Sequence, residues 1–308
     1  AIGNKIFSMI LMLAVVVIVI VMFMAWWFTN PLNSAIAVIK KMADGHFDQR
    51  IEINDFLHTE LAELAESSNY MAEKLDMIET SRREFVSNVS HELKTPLSSI
   101  KVLSDSILIQ DPENVPKEMY VEFLMDINSE VDRMTDIIND LLTLVRMNRE
   151  EVHLNPMEIN LTDMISDIVR RLEPIAKSKN INLNYNKLKA VKAEIEETKF
   201  SLAVSNLIEN AIKYNNDGGN VEVTVDADNQ NAFVTIADDG VGIAEEELGK
   251  IFDRFYRVDK NRDRESGGTG LGLSIARSAV LMHNGTIKVS SKENEGTTFV
   301  IIIPLKQE

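Results

Sequence analysis

Residues 85–101, FVSNVSHELKTPLSSIK, decide how the rest of the chain is read. Phe85, Val89, Leu93, Leu97 and Ile100 recur at three- and four-residue spacing, the pattern of an amphipathic helix. His91 stands two positions past Val89, about 200° round a 3.6-residue turn, which predicts an imidazole facing water. Thr95 follows one turn later on the same face, and Glu92 is the immediate neighbour. Pro96 lacks the N–H that would reach the Glu92 carbonyl, so a kink is expected just after the histidine. An exposed imidazole with a carboxylate beside it is equipped to act as a nucleophile. A surface histidine on a bundle helix fits the same residues equally well.

Outward from this stretch the helical signal continues. An apolar stripe at Leu57, Leu61, Leu64, Ala65, Ser68, Met71, Leu75 and Ile78 runs into the His91 helix with almost no turn residues, predicting one long helix. Downstream, Asp111, Pro112, Asn114 and Pro116 mark a loop over 110–116. A second helix, from Lys117 to about Asn148, carries Phe123, Ile127, Met134, Ile137 and Leu141 with Leu124, Val131, Ile138, Leu142 and Val145 alongside. Two antiparallel helices cannot bury faces this broad alone, so two hairpins pairing into a four-helix bundle, a homodimer, are predicted. The polar NREEVHLN of 148–155 reads as an interdomain linker.

Toward the N-terminus, Ile6 to Phe28 gives 23 residues with no charge, enough to cross about 30 Å of hydrocarbon as a helix. Trp26 and Trp27 close it where an interfacial aromatic belt would lie. A signal peptide is the competing reading, but its apolar core would be shorter and a small-residue cleavage site would follow. The chain starts at Ala1, so it reads as a fragment with sensing segments upstream. Pro31 is expected to stop or redirect the helix, after which Leu32, Ala35, Ile36, Ile39 and Met42 form a stripe up to Gly45. An extended piece from Asp48 to Phe56 then precedes the second stripe, which Glu60 opens. Two short amphipathic helices with a connector, directly after a membrane helix, resemble a HAMP module; a plain coiled-coil linker is the alternative.

The net charge of −16 argues against direct nucleic-acid binding, because no overall basic surface is available for phosphates. Any nucleotide must therefore meet a local cationic cluster or a metal. With no cysteine, disulfides and thiolate metal sites are excluded. From about Val152 the pattern changes to strands at 181–185, 220–227, 232–237, 285–290 and 297–304. Helices are predicted at 161–177, 198–214, 244–251 and 270–283. This order fits an α/β sandwich, a mixed sheet covered on one face by helices.

Within that segment, Asn206 and Asn210 share a helical face, and amide oxygens suit a hard cation such as Mg²⁺. Lys213 and Tyr214 follow with a phosphate charge and an aromatic face. Asp238, at a strand end before Gly240 and Gly242, can accept from an exocyclic amine, though the motif alone also fits a β-turn. Gly268, Thr269, Gly270, Leu271 and Gly272 open a helix, where exposed N–H groups hold phosphate. No βαβ unit precedes this turn, and no GxxxxGK[ST] loop is present, so neither dinucleotide nor P-loop fingerprints apply. Arg254, Arg257, Lys260, Arg262 and Arg264 supply local positive charge, and 258–268 reads as a mobile lid.

SHELKTPL resembles the phosphoacceptor box of the sensor histidine kinases, and the later sites resemble, in order, the N, G1, F and G2 boxes of the GHKL ATP-binding domain. The resemblance spans about 220 residues and implies a multidomain protein. Its parts would be a transmembrane helix at 6–28, a HAMP-like linker at 29–80, a dimerisation and phosphoacceptor domain at 81–149 and an ATP-binding domain at 153–306. It implies that His91 is the nucleophile, Glu92 its base and Thr95 a phosphatase residue. Asn210 would bind Mg²⁺ with Asn206 in support, Lys213 and Tyr214 would contact ATP, and Asp238 would read the adenine amine. Gly240 and Gly242 would line the base pocket, and Gly268, Thr269, Gly270, Leu271 and Gly272 would shape the phosphate cradle. Arg254 or Arg257 would reach the γ-phosphate. His283 is expected to be structural, and His46, His58 and His153 without a chemical role. The implied partner is a response regulator with a receiver aspartate, and the implied place a bacterial cell membrane with the kinase domains in the cytoplasm. Two other classes stay open: a GHKL-type ATPase or serine kinase, which would not need His91, and a silent dimeric adaptor. The sensed signal, the regulator and its genes, and phosphorylation within or between subunits are not legible.

Overall fold

The computed structural model describes residues 2–51, 59–109, 116–147, 155–258 and 268–307. The chain divides into two compact units, Ala1–Ser87 and Asn88–Glu308. In the first, α1 runs unbroken over Ile2–Ala43. The expected stop at Pro31 does not occur: a proline removes one helical hydrogen bond, and the turns on either side keep theirs. Side chains from Ile6 to Trp27 stand exposed, and α1 is the one helix among the described residues long and apolar enough to cross a membrane. Past Pro31, Ala35 packs with Ile51 and Ala65 in a small core. The backbone of Ile51 is held at both ends by one amide, its N–H donating to Asn69 Oδ1 (2.8 Å) and its carbonyl accepting from Asn69 Nδ2 (2.9 Å). Most of the extended connector, and His58, lie outside the described residues.

The long helix expected through His91 is present as α2, Thr59–Ile109, with Pro96 inside it. Pro96 is buried, and the Thr95 hydroxyl donates to the His91 carbonyl (3.1 Å), a back-bond that tilts a helix beside a proline. The second helix, α3, spans Lys117–Met147. The loop 110–115, most of the 148–155 linker and His153 lie outside the described residues. Leu97, expected on the covered stripe, is exposed, as are Leu124, Val131, Ile138, Leu142 and Val145 of α3. The hairpin therefore covers only part of its apolar surface. At its far end α3 does something the periodicity did not announce: Leu144 and Met147 enter the main core with the α/β residues.

The C-terminal segment is the expected α/β sandwich. Strands β2 (Asn182–Lys187), β4 (Asn220–Ala227), β5 (Asn231–Asp238), β6 (Thr286–Lys292) and β7 (Gly296–Pro304) form a mixed sheet in the order β2-β4-β5-β7-β6. Only the β2–β4 pair is parallel. Alternate residues Val221, Val223, Val225, Val234, Ile236, Ile301 and Ile303 are fully buried on one face, against α4 (Leu161–Ser178), α5 (Glu197–Lys213) and α6 (Gly272–Met282). Two short strands went unforeseen, β1 (Met157–Asn160) and β3 (Lys192–Ile195), which pair only with each other. Four residues each, MEIN and KAEI, are too short to show a period of two. The helix expected at 244–251 is only a 3₁₀ turn, Glu245–Glu247. Gly249 interrupts it at a cost of about 1 kcal/mol, and Ile251 instead turns into the core. His283 is fully buried: its Nδ1 lies 2.7 Å from the Ala279 carbonyl and its Nε2 accepts from the Glu196 N–H (3.0 Å), a structural role as expected.

Candidate active site

Two adjoining cavities lie on the α/β domain, and both are lined by Asn210, Tyr214, Ile251, Tyr256, Arg257 and Leu273. The inner one, about 300 Å³, is closed by Asp238 at the end of β5, with Phe299 and Thr297 from β7. Asp238 Oδ1 accepts from the N–H groups of Gly240 (3.0 Å) and Thr297 (3.2 Å). Burial pushes its carboxyl up to about 6, against the pull of those two bonds. Asp239, next along, turns outward and binds the Asn220 backbone and amide. An apolar slot ending in one carboxylate suits a flat ring bearing an amine.

Of the two glycines expected to line this pocket, Gly242 does and Gly240 does not, and both have a packing role as well. Gly242 has φ +67°, and a Cβ there would stand 2.0 Å from the Lys292 carbonyl oxygen. Gly240 abuts the Tyr214 carbonyl, where a Cβ would lie at 2.5 Å, and it does not line the cavity. Both therefore permit backbone to pack on backbone, and that packing fixes Asp238 at the pocket floor.

The outer cavity, about 390 Å³, collects Asn206, Asn210, Lys213, Tyr214, Arg257, Gly268, Thr269, Gly270 and Gly272 of the predicted residues. Asn206 and Asn210 of α5 face the start of α6, and Asn206 Nδ2 donates to the Gly272 carbonyl (3.2 Å). Lys213 reaches the glycine turn: a Cβ on Gly268 would lie 2.4 Å from its Nζ, which also sits 5.1 Å over the Tyr214 ring. Gly270 adopts φ +71° against the Phe255 backbone. Leu271 buries its side chain in the core and offers the site only its N–H, which donates to Thr269 Oγ1 (3.2 Å). Of the two candidate arginines, Arg257 lines both cavities, and Arg254 is exposed and lines neither. Lys260, Arg262, Arg264 and most of the expected lid lie outside the described residues.

The helix pair supplies the other half. His91 is exposed, as expected, in a groove of about 870 Å³ with Lys94, Thr95, Asp126, Ser129 and Glu130. Glu92 Oε2 lies 3.9 Å from Arg257 Nη1, so the guanidinium that lines the cavities also faces the carboxylate beside His91. The sequence reading missed α3 altogether as a contributor. Its Asp136, Asn139 and Asp140 line the outer cavity, and Asp140 Oδ2 accepts from the Thr269 hydroxyl (2.7 Å). Their spacing of three and four within DIINDLL was a visible polar stripe, indistinguishable by sequence from a solvated face. Burial, opposed by Arg171 and reinforced by Asp140 and Asp136, holds the nearby Glu209 carboxyl above its ordinary value.

Three segments of the chain match known domain families. Residues 195–307 match the Histidine kinase-, DNA gyrase B-, and HSP90-like ATPase family, 81–150 the His Kinase A (phospho-acceptor) domain and 23–77 the HAMP domain. The chain is 37% identical over 239 residues to the sensor histidine kinase WalK of Bacillus subtilis (strain 168), covering 77% of this chain and 38% of that protein. It is 38% identical over 232 residues to the sensor protein kinase WalK of Staphylococcus aureus, covering 74% of this chain and 54% of the relative. The chain thus spans between about a third and just over half of the relatives it matches. Histidine kinase ThkA in complex with response regulator protein TrrA shares the fold at TM-score 0.57 and 24% identity, over 82% of this chain and 68% of that one. Acinetobacter baumannii histidine kinase AdeS shares it at TM-score 0.55 and 22% identity, over 70% and 98%. With a HAMP module, a phosphoacceptor helix pair and an ATP-binding domain of the GHKL type in this order, the chain belongs to the sensor histidine kinases.

Proposed function

We propose that this chain takes the γ-phosphoryl group of ATP onto His91 and passes it to an aspartate of a separate response regulator, relaying a signal across a membrane. The carrying observation is Arg257, which lines the nucleotide cavities and stands 3.9 Å from Glu92, next to His91. One guanidinium thus spans from the donor site to the acceptor. In this reading adenine fills the inner cavity with its amine on Asp238, and the phosphates run outward past Asn210, Lys213 and the turn from Gly268 to Gly272. Glu92 takes the proton from one imidazole nitrogen of His91 while the other attacks the γ-phosphorus in line. A nitrogen–phosphorus bond forms, and the bond from phosphorus to the bridging oxygen breaks, leaving ADP. Positioning and charge neutralisation carry most of the acceleration.

Mg²⁺ fits the donor set if it enters on the nucleotide. Among the described residues no group of three or more histidines or carboxylates could cage a metal, whereas Asn210 offers one amide oxygen beside the phosphate path. Such an ion neutralises charge on the transferred group and keeps most of its ligands as water and phosphate oxygens. Thr95, exposed in the His91 groove, is the candidate for orienting water against a phosphorylated regulator. The same groove is the docking place we assign to that regulator. The uncovered faces of α2 and α3, with Leu97, Leu124, Val131, Ile138 and Leu142, support a homodimeric bundle. The chain is divided as 6–28 membrane helix, 29–80 HAMP-like linker, 81–149 phosphoacceptor domain and 153–306 ATP-binding domain, with the last two in the bacterial cytoplasm.

Incubation with γ-labelled ATP and Mg²⁺ tests the reading. Acid-labile, alkali-stable label on the native chain, absent from His91→Gln, is expected. Label that persists in His91→Gln points to a serine kinase, and ATP hydrolysis without label points to an ATPase; either result overturns the proposal.

A further inference from the structure

The Thr269 hydroxyl joins two elements that the sequence keeps far apart. It accepts the Leu271 N–H (3.2 Å), at the start of α6, where no side chain of Leu271 itself provides a cap. It donates to Asp140 Oδ2 (2.7 Å) on α3. Gly270 between them is pinned on its other side, because its carbonyl accepts the Phe255 N–H (2.9 Å) and a Cβ would meet the Phe255 backbone at 2.9 Å. The phosphate turn is therefore gripped by its own domain at Phe255 and by the helix pair at Asp140. One and two turns beyond Asp140, Leu144 and Met147 are buried in the α/β core, so α3 is a packed support for this end of the site.

We propose that Asp140 is a positioning residue for phosphoryl transfer to His91: by accepting the Thr269 hydroxyl it seats the glycine turn of the nucleotide site on the helix pair that carries the histidine. The inference rests on the histidine kinase reading above. Nucleotide binding draws on Asp238, Asn210 and Lys213 of the α/β domain as well as on the glycine turn, so losing the one bond from Asp140 leaves most binding contacts in place. Transfer in addition requires the γ-phosphorus to stand in line with the imidazole, and a misplacement of about 1 Å costs about 100-fold in rate. Asp140 should thus act on transfer and spare binding.

The test uses the full chain in detergent micelles, with single-turnover labelling from γ-labelled ATP and Mg²⁺ and, separately, titration with a fluorescent ATP analogue. Asp140→Ala is expected to label His91 about 10- to 100-fold more slowly at saturating ATP, with Kd moved less than about 3-fold. Asp140→Asn keeps an oxygen acceptor for the hydroxyl and should restore the rate to within about 5-fold of native. Thr269→Val combined with Asp140→Ala should be no slower than the slower single variant, since the one bond Asp140→Ala removes is already lost in Thr269→Val. A native rate in Asp140→Ala overturns the proposal, as does a loss of Kd in step with the rate, or effects that multiply in the double variant. Faster labelling by both Asp140 variants also overturns it, because the carboxylate would then act only by repelling phosphate. No label on His91 in the native chain sinks the kinase reading and this inference together. Native label with an undiminished Asp140→Ala sinks the inference alone.

Discussion

Asp238 offers a substitution that should stabilise the empty protein and disable it. Burial holds its carboxyl at about 6, and an unfolded aspartate titrates near 3.8. Between those values the folded state binds more protons than the unfolded, so stability falls as pH rises from about 4 to about 6 and stays lowered above. Two pH units correspond to about 3 kcal/mol; discounted by about half because the carboxylate is only half-buried, the burden at pH 7 is about 1–2 kcal/mol. Asp238→Asn removes that burden and keeps an oxygen for the Gly240 and Thr297 N–H groups. For a domain of this size the melting temperature should rise by about 3–6 °C at pH 7, and the gain should shrink steadily toward pH 4. With the oxygen occupied, the new amide would point N–H groups at the adenine amine, donor against donor. Loss of a charge-assisted bond of about 1.5–3 kcal/mol should weaken nucleotide binding by about 10- to 150-fold. Scanning calorimetry across pH 4.5–8 without nucleotide, paired with titration of a fluorescent ATP analogue, reads both effects. A fall in the pH 7 melting temperature without nucleotide would refute the desolvation argument, and unchanged nucleotide affinity would refute the placement of adenine.

Gly242→Ala combines a left-handed φ with a Cβ at 2.0 Å from the Lys292 carbonyl oxygen, so it should cost about 3 kcal/mol or more and empty the inner cavity, read as a lowered melting transition and lost nucleotide binding. His283, held below its ordinary pKa by burial, takes its proton less readily folded than unfolded. Stability is therefore lost as pH falls below about 6.5, and His283→Asn, though less stable at pH 7, should show a shallower decline from there to pH 5 in calorimetry. Arg257 meets Glu92, and Thr269 meets Asp140, within one chain. In the proposed dimer, mixing His91→Gln with Asn210→Ala chains should thus yield no labelled histidine, whereas label on the Asn210→Ala chain would show transfer between subunits.

The α/β sheet was legible almost strand by strand because its covered face imposes a period of two on Val221, Val223 and Val225 and again on Val234 and Ile236. The two four-residue strands and the 244–251 turn were not, because local pattern there is overruled by what the segment packs against. The same division runs through the site. Asn210, Lys213, Asp238 and the glycine turn announce themselves by spacing within one element or one turn. Asp140 does not, since its partner Thr269 lies across the tertiary contact and a polar stripe on a helix looks the same wet or docked.

That asymmetry bears on how such a chain is controlled. The proposed nucleotide residues readable from sequence, Asn210, Lys213, Asp238 and the glycine turn, lie on one domain, and the proposed phosphoacceptor residues His91, Glu92 and Thr95 lie on the helix pair. The pairings a sequence does not show, Asp140 with Thr269 and Glu92 with Arg257, join that domain to the helix pair; the hydrogen bond is worth about a kilocalorie or two and the 3.9 Å ion pair about 1 kcal/mol or less. In the proposed relay, a signal arriving along α2 need not rebuild the ATP site to change the output. Shifting the helix pair by enough to lose the hydrogen bond alters the docked population by about 10-fold, since 1.4 kcal/mol is a factor of ten in an equilibrium. Weak, separable contacts are thus the physical form a switch should take here: strong enough to align donor with acceptor, and weak enough for a helix displacement to undo.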